Sequence, residues 1–228
     1  MKKILYSIVS ILSLLSIFMQ FDQVYANQGE VNLRFLNASV DSSSQRVDVY
    51  INKEKNFSNI SFKEVSRFIQ VSDGKLKIKV YPEGADPKKE KPLLSEKVKV
   101  KKGESYTISL IGEKREMEIL LLTDDRITKE DKSKLRIVHF SPDTPSVNIF
   151  GNGNEVITNL EFGEISAYGE LEPTTLDLEF RIGDQGEVLY KIPNLELEAG
   201  VNYSIFALGS LEGEPGFDVL ITQDTVTE

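Results

Sequence analysis

FSNISFKEVSRFI, residues 57–69, returns one hundred residues later as ITNLEFGEISAYG, residues 157–169. Asn59, Phe62, Glu64 and Ser66 recur as Asn159, Phe162, Glu164 and Ser166 at a single offset, which fixes one register for both passages. The flanks keep it. VDVYIN (47–52) returns as VNIFGN (147–152), and LKIKV (76–80) returns as LDLEF (176–180). GESYTISLIG (103–112) matches GVNYSIFALG (200–209) at an offset of 97, so only loop lengths separate the copies. A period near a hundred residues describes two similar domain-sized units.

Within each copy, apolar residues alternate over short stretches and turn residues intervene every ten positions or so, the pattern of antiparallel strands packed as a sandwich. Leu76, Ile78 and Val80 face one way while Lys75, Lys77 and Lys79 face the other. The same reading predicts strands near 31–37, 46–52, 64–69, 75–81, 94–100, 105–111 and 117–123. In the second copy it predicts them near 134–140, 146–150, 155–158, 164–168, 175–182, 188–198, 202–208 and 217–222. Asn152-Gly153 supplies the two positive-φ residues of a tight hairpin. Phe62, Val65, Phe68 and Ile69 have helical spacing, but their copy carries Gly163 and Gly169, which favours strand for both.

The amino terminus has its own grammar. Lys2 and Lys3 precede an apolar run from Ile4 to Met19 that ends in Val24-Tyr25-Ala26, the pattern of a secretory signal cleaved after Ala26. The alternative is a retained membrane anchor. If the signal is cleaved, no integral membrane span remains. The chain carries a net charge of −9, which repels phosphate backbones and makes nucleic acid an unsuitable partner. It contains no cysteine, so its stability rests on its cores, and no lipid-modified cysteine can tether it. Lysine-rich and arginine-poor, it reads as a Gram-positive export product.

A resemblance follows from RIVHFSPDTPSVNI (136–149), FGEISAY (162–168), and EAGVNY (198–203) with ALG (207–209). These are similar to the opening, middle and end of an exported bacterial domain of unknown function, often tandemly repeated. The resemblance implies an all-β chain of two tandem immunoglobulin/transthyretin-like antiparallel β-sandwich domains after an N-terminal signal peptide. The expected division is a signal at 1–26, a first sandwich at 27–125, a charged linker at 126–133 and a second sandwich at 134–228. The first copy departs from the pattern: Asn37 stands in place of histidine, Val40 in place of proline, and Ser42 to Gln45 enlarge the loop. The family brings no catalytic residues with it.

His139 is the single histidine. Catalysis would need a nucleophile and an orienting acid, and zinc would need further nitrogen, sulfur or carboxylate ligands. Ser141 and Asp143 share its strand face, but same-face side chains run parallel and do not converge, and Pro142 and Pro145 read as a turn. The expectation is a frame residue, with the imidazole and the Ser141 hydroxyl hydrogen-bonding backbone at a strand end. Asn37 could do the same in the first copy. Tyr106 and Tyr203, at equivalent strand positions, read as core or corner tyrosines. Gly151-Asn152-Gly153 lacks the following helix that a phosphate-binding loop requires. The run Asp124–Lys134 reads as a solvated linker, with calcium held by Asp124, Asp125, Glu130 and Asp131 as the alternative.

No residue is assigned as catalytic, cofactor-binding or metal-binding. The preferred reading is a non-catalytic secreted or cell-envelope module that binds an extracellular protein or a cell-wall component through its loops or a strand edge. The alternatives are a glycosidase-like hydrolase with paired carboxylates and a module for carbohydrate or wall polymer. The absence of tryptophan weakens both.

Overall fold

The computed structural model describes residues 30–183 and 186–224. The expected signal segment at 1–26 lies outside the described residues. In the first copy the strands are β1 (Val31–Asn37), β2 (Arg46–Ile51), β3 (Glu54–Ser61), β4 (Glu64–Val65), β5 (Ile69–Val71), β6 (Gly74–Pro82), β7 (Leu94–Val100), β8 (Ser105–Ile111) and β9 (Glu118–Thr123). In the second they are β10 (Ser133–His139), β11 (Val147–Gly151), β12 (Asn154–Leu160), β13 (Gly169–Leu171), β14 (Thr174–Ile182), β15 (Glu187–Leu197), β16 (Asn202–Leu208) and β17 (Asp218–Gln223).

The fold is all-β, two tandem immunoglobulin/transthyretin-like sandwiches. One sheet of the first sandwich runs β4-β1-β8-β9 with β5 also on β1, and the other runs β3-β2-β6-β7. The second repeats this plan as β13-β10-β16-β17 and β12-β11-β14-β15. Each sandwich also contains one parallel pairing, β1 with β8 and β10 with β16, among otherwise antiparallel strands. Val31, Leu33 and Phe35 of β1 meet Tyr106, Ile108 and Leu110 of β8 in the first core. Ile137 meets Tyr203, Ile205 and Ala207 in the second.

The four recurring residues each have a job. Asn59 and Asn159 take positive φ, 56° and 54°, where β3 and β12 bulge against β2 and β11. Their amides are received by the side-chain oxygens of Asp48 (2.9 Å) and Asn148 (2.7 Å). The carboxylates of Glu64 and Glu164 accept the N–H of Ser61 (2.9 Å) and Glu161 (2.8 Å). Ser66 and Ser166 accept the N–H of Phe35 and Ile137, both at 2.9 Å, binding the segment to β1 and β10. Phe62 and Phe162 pack against a third hydrophobic cluster that belongs to neither core alone.

That third cluster sits between the sandwiches. Leu36, Ala38, Ile111 and Leu122 from the first copy join Val138, Phe140, Phe206 and Leu208 from the second, all buried. It explains why every residue of β8 and β16 is buried: one face fills a core and the other fills the interface.

The structure differs from the sequence expectation in three places. Residues 54–61 form a strand that the pattern concealed, because the bulge puts the buried residues Phe57 and Ile60 three positions apart and breaks period two. Residues 64–69 are two short strands with an irregular step between them, and 164–168 contributes only an isolated bridge, Ile165 with Val138. The run beginning at Asp124 opens on a buried side chain, with solvated residues such as Glu130 and Asp131 following.

Candidate functional site

His139 ends β10 fully buried. Its Nδ1 accepts the Ser141 N–H (3.3 Å), which leaves Nε2 to donate to the Pro145 carbonyl at 3.2 Å. Burial holds the imidazole below its ordinary pKa, against the pull of the backbone carbonyls and Glu164, so the ring is neutral. The Ser141 hydroxyl donates to the Gly209 carbonyl (2.7 Å) and lies 2.6 Å from the Thr144 hydroxyl. Asp143 turns away to accept the Ser210 hydroxyl (2.5 Å) and the Leu211 N–H (2.7 Å). Partial burial pushes its carboxyl up, but these donors outweigh it and hold the group below the usual range. His139 therefore serves the loop at Pro145 while Ser141 and Asp143 anchor residues 209–211, and the three side chains do not converge on a common point.

The first copy repeats the device. Asn37 donates to the Ser44 carbonyl (2.7 Å), Ser39 to the Gly112 carbonyl (2.7 Å), and Asp41 accepts the Lys114 N–H (2.8 Å). Tyr106 and Tyr203 are corner tyrosines, whose hydroxyls accept the N–H of Lys101 (3.3 Å) and Glu198 (3.2 Å).

The most concentrated charge lies at the interface, and the sequence reading missed it. Arg34 donates from Nε to Thr107 (2.8 Å) and crosses to the second copy, reaching the Gln223 carbonyl (3.1 Å) and the Asp224 carboxylate. Arg136 makes the reciprocal set: Nε to Ser204 (2.6 Å), then across to the Thr123 carbonyl (2.8 Å) and Asp124 (2.5 Å). Phe68 covers Arg34 at 4.8 Å and Tyr168 covers Arg136 at 4.6 Å. Each sandwich thus inserts an arginine into the other. Burial pushes the Asp124 carboxyl up while Arg34 and Arg136 pull it back, and burial, then Asp224, push the Tyr168 phenol up. The signal was present in the repeat: Arg34 stands between Leu33 and Phe35 as Arg136 stands between Leu135 and Ile137, and Asp124 recurs as Asp224 at the common offset.

The acidic residues at the junction do not gather. Asp124 is taken by Arg136, Asp125 bonds Lys134 (2.7 Å), and among the described residues no group of three or more His, Asp or Glu could hold a metal. Asn152 and Gly153 form the expected hairpin at φ 49° and 79°. Among the described residues no helix is long and apolar enough to cross a membrane.

One opening in the surface is apolar. A slot of about 360 Å³ enters the second sandwich between its sheets, with Ile137, Gly151, Val156, Ile157, Gly169 and Leu178 in its wall. At the corresponding place in the first sandwich the Phe35 and Phe57 rings stack, 6.1 Å between centroids.

A family model described as a domain of unknown function, DUF4397, matches residues 31–150 and 133–228. No curated protein matches the chain. Solved structures similar to it include a candidate cell adhesion protein from Bacteroides uniformis, 14% identical with a TM-score of 0.26, the match covering 87% of this chain and 100% of that one. Another is a family CBM26 module from Eubacterium rectale in complex with maltoheptaose, 9% identical with a TM-score of 0.25, covering 87% and 98%. A third is a candidate adhesin from Bacteroides ovatus, 9% identical with a TM-score of 0.24, covering 88% and 94%.

Proposed function

The chain belongs to the DUF4397 family of domains of unknown function, with two matching regions, and from that premise we propose that it is an exported, non-catalytic binding module of the bacterial surface. The carrying observation is the employment of its chemistry-bearing side chains. His139, Ser141, Asp143, Asp124 and Asp224 are each hydrogen-bonded into loops or the interface, so the groups a hydrolase would use are holding the frame. What the frame offers outward is loops, strand edges and one apolar slot, the equipment of a binder. A protein partner fits better than a polysaccharide, because the chain has no tryptophan for a sugar platform.

Intact producing cells treated with a membrane-impermeant amine crosslinker test this. The chain should be tagged at the surface, beginning at Asn27, and joined to another surface protein. A chain labelled only after lysis, or a hydrolytic activity lost on His139→Ala with melting temperature unchanged, contradicts it.

A further inference from the structure

The two copies differ systematically around the slot. Position by position, Phe35 becomes Ile137, Ile51 becomes Gly151, Phe57 becomes Ile157 and Ile69 becomes Gly169, while Val49→Ile149 and Val71→Leu171 return only a methylene each. The pairing supports these equivalences, since Phe57 sits opposite Val49 as Ile157 sits opposite Ile149, and Ile69 opposite Leu33 as Gly169 opposite Leu135. The rim changes the other way. Asn56 becomes Val156, 60% exposed, and the exposed Arg67 becomes Ala167. Large apolar groups have left the inside and polar ones have left the mouth.

Resting on the module reading above, we propose that this slot is a recognition pocket for a bulky aromatic side chain, delivered by an extended segment of a protein partner lying along β12. Three observations choose that occupant. In the sister sandwich the space is filled by aromatic rings carried on strands. Among the described residues the only polar side chain in the wall is Ser166, and its hydroxyl is engaged with Ile137 N–H and the Ala167 carbonyl (3.0 Å), so nothing there asks for a polar ligand. And among the described residues β12 ends its sheet, pairing with β11 alone, while its centre reads Val156-Ile157-Thr158 where β3 has Asn56-Phe57-Ser58. A free, β-branched edge supplies backbone hydrogen bonds, and the pocket beside it supplies choice of side chain.

The test is an amide-resolved NMR titration of the full chain with acetyl-Thr-Val-Phe-Val-Thr-amide, its alanine counterpart, and toluene. The phenylalanine peptide should move the amides of Gly151, Val156, Ile157 and Gly169 saturably, and the alanine peptide should bind about tenfold more weakly or worse. Gly169→Ile, whose Cβ would meet only the Leu135 carbonyl oxygen at 3.8 Å, and the double variant with Ile157→Phe should abolish the shifts while the melting temperature holds or rises. Equal binding of both peptides, no binding, or undiminished binding by the filled variants overturns the proposal. Toluene shifting these amides where the peptide does not reassigns the slot to a free small molecule and overturns the protein occupant. Crosslinking separates this from the module reading. If wild type and filled variant capture the same surface partner equally, the module stands and the slot falls; if wild type captures none, the module falls whatever the peptides do.

Discussion

His139 and Asn37 end equivalent strands and both donate to carbonyls of the loop that follows, Pro145 in one copy and Ser44 in the other. His139→Ala should leave the Ser141 N–H and the Pro145 carbonyl without their partner and cost about 1–3 kcal/mol, read from chemical denaturation. His139→Asn should recover part of that loss, since the first copy already uses an amide. The same burial gives a pH signature. The folded ring titrates below its ordinary value of 6.5, so the native state binds fewer protons than the unfolded chain. Stability from this site is therefore complete above about pH 6.5 and declines as pH falls through that value. Comparing melting temperatures of wild type and His139→Asn from pH 7.5 to 5 checks it: the gap should narrow on acidification. The frame role was legible in the sequence, because strand spacing forbids Ser141 and Asp143 from converging on the ring. The recipients of the bonds were not, since they are backbone carbonyls set by loop closure.

The hairpins show how far local pattern reaches. At the β11–β12 turn Asn152-Gly153 occupies two positive-φ positions, and at the β2–β3 turn the same positions hold Asn52 and Lys53 at 50° and 88°. A side chain with a Cβ is strained there by about 1–2 kcal/mol, so Lys53→Gly should stabilise the protein by about 1 kcal/mol, seen as a rise in melting temperature. Asn52 and Asn152 also accept the N–H of Lys77 and Asp177, both at 2.9 Å, and hold each turn against its neighbouring strand. The second turn was readable as Asn-Gly, and the first was masked by its lysine. For the same reason β3 went unread while its copy β12 was expected: both carry the bulge that breaks alternation, at Asn59 and Asn159, but only β12 follows an Asn-Gly turn that announces a hairpin.

At the scale of the molecule, the repeat revealed two sandwiches but not that they share a buried face. Sequence patterns report how one strand alternates, and β16 carries Phe206 and Leu208 on the face opposite Tyr203, Ile205 and Ala207, a signal that names no partner. The partner is the other copy, and Arg34 and Arg136 exchange across it. Arg136→Ala leaves Asp124 buried without its closest cation and should cost about 3–5 kcal/mol. Replacing both, Arg136→Met with Asp124→Leu, should recover most of that, because a matched apolar pair carries no desolvation penalty. Denaturant titration of the single and double variants reads both outcomes.

Scanning calorimetry of the full chain asks whether the exchange makes one body of two sandwiches. The interface described here predicts a single transition whose calorimetric and van't Hoff enthalpies agree, and which Arg136→Ala moves to lower temperature as a whole. Two resolved transitions, each with the enthalpy of one sandwich and unmoved relative to one another by Arg136→Ala, would contradict it.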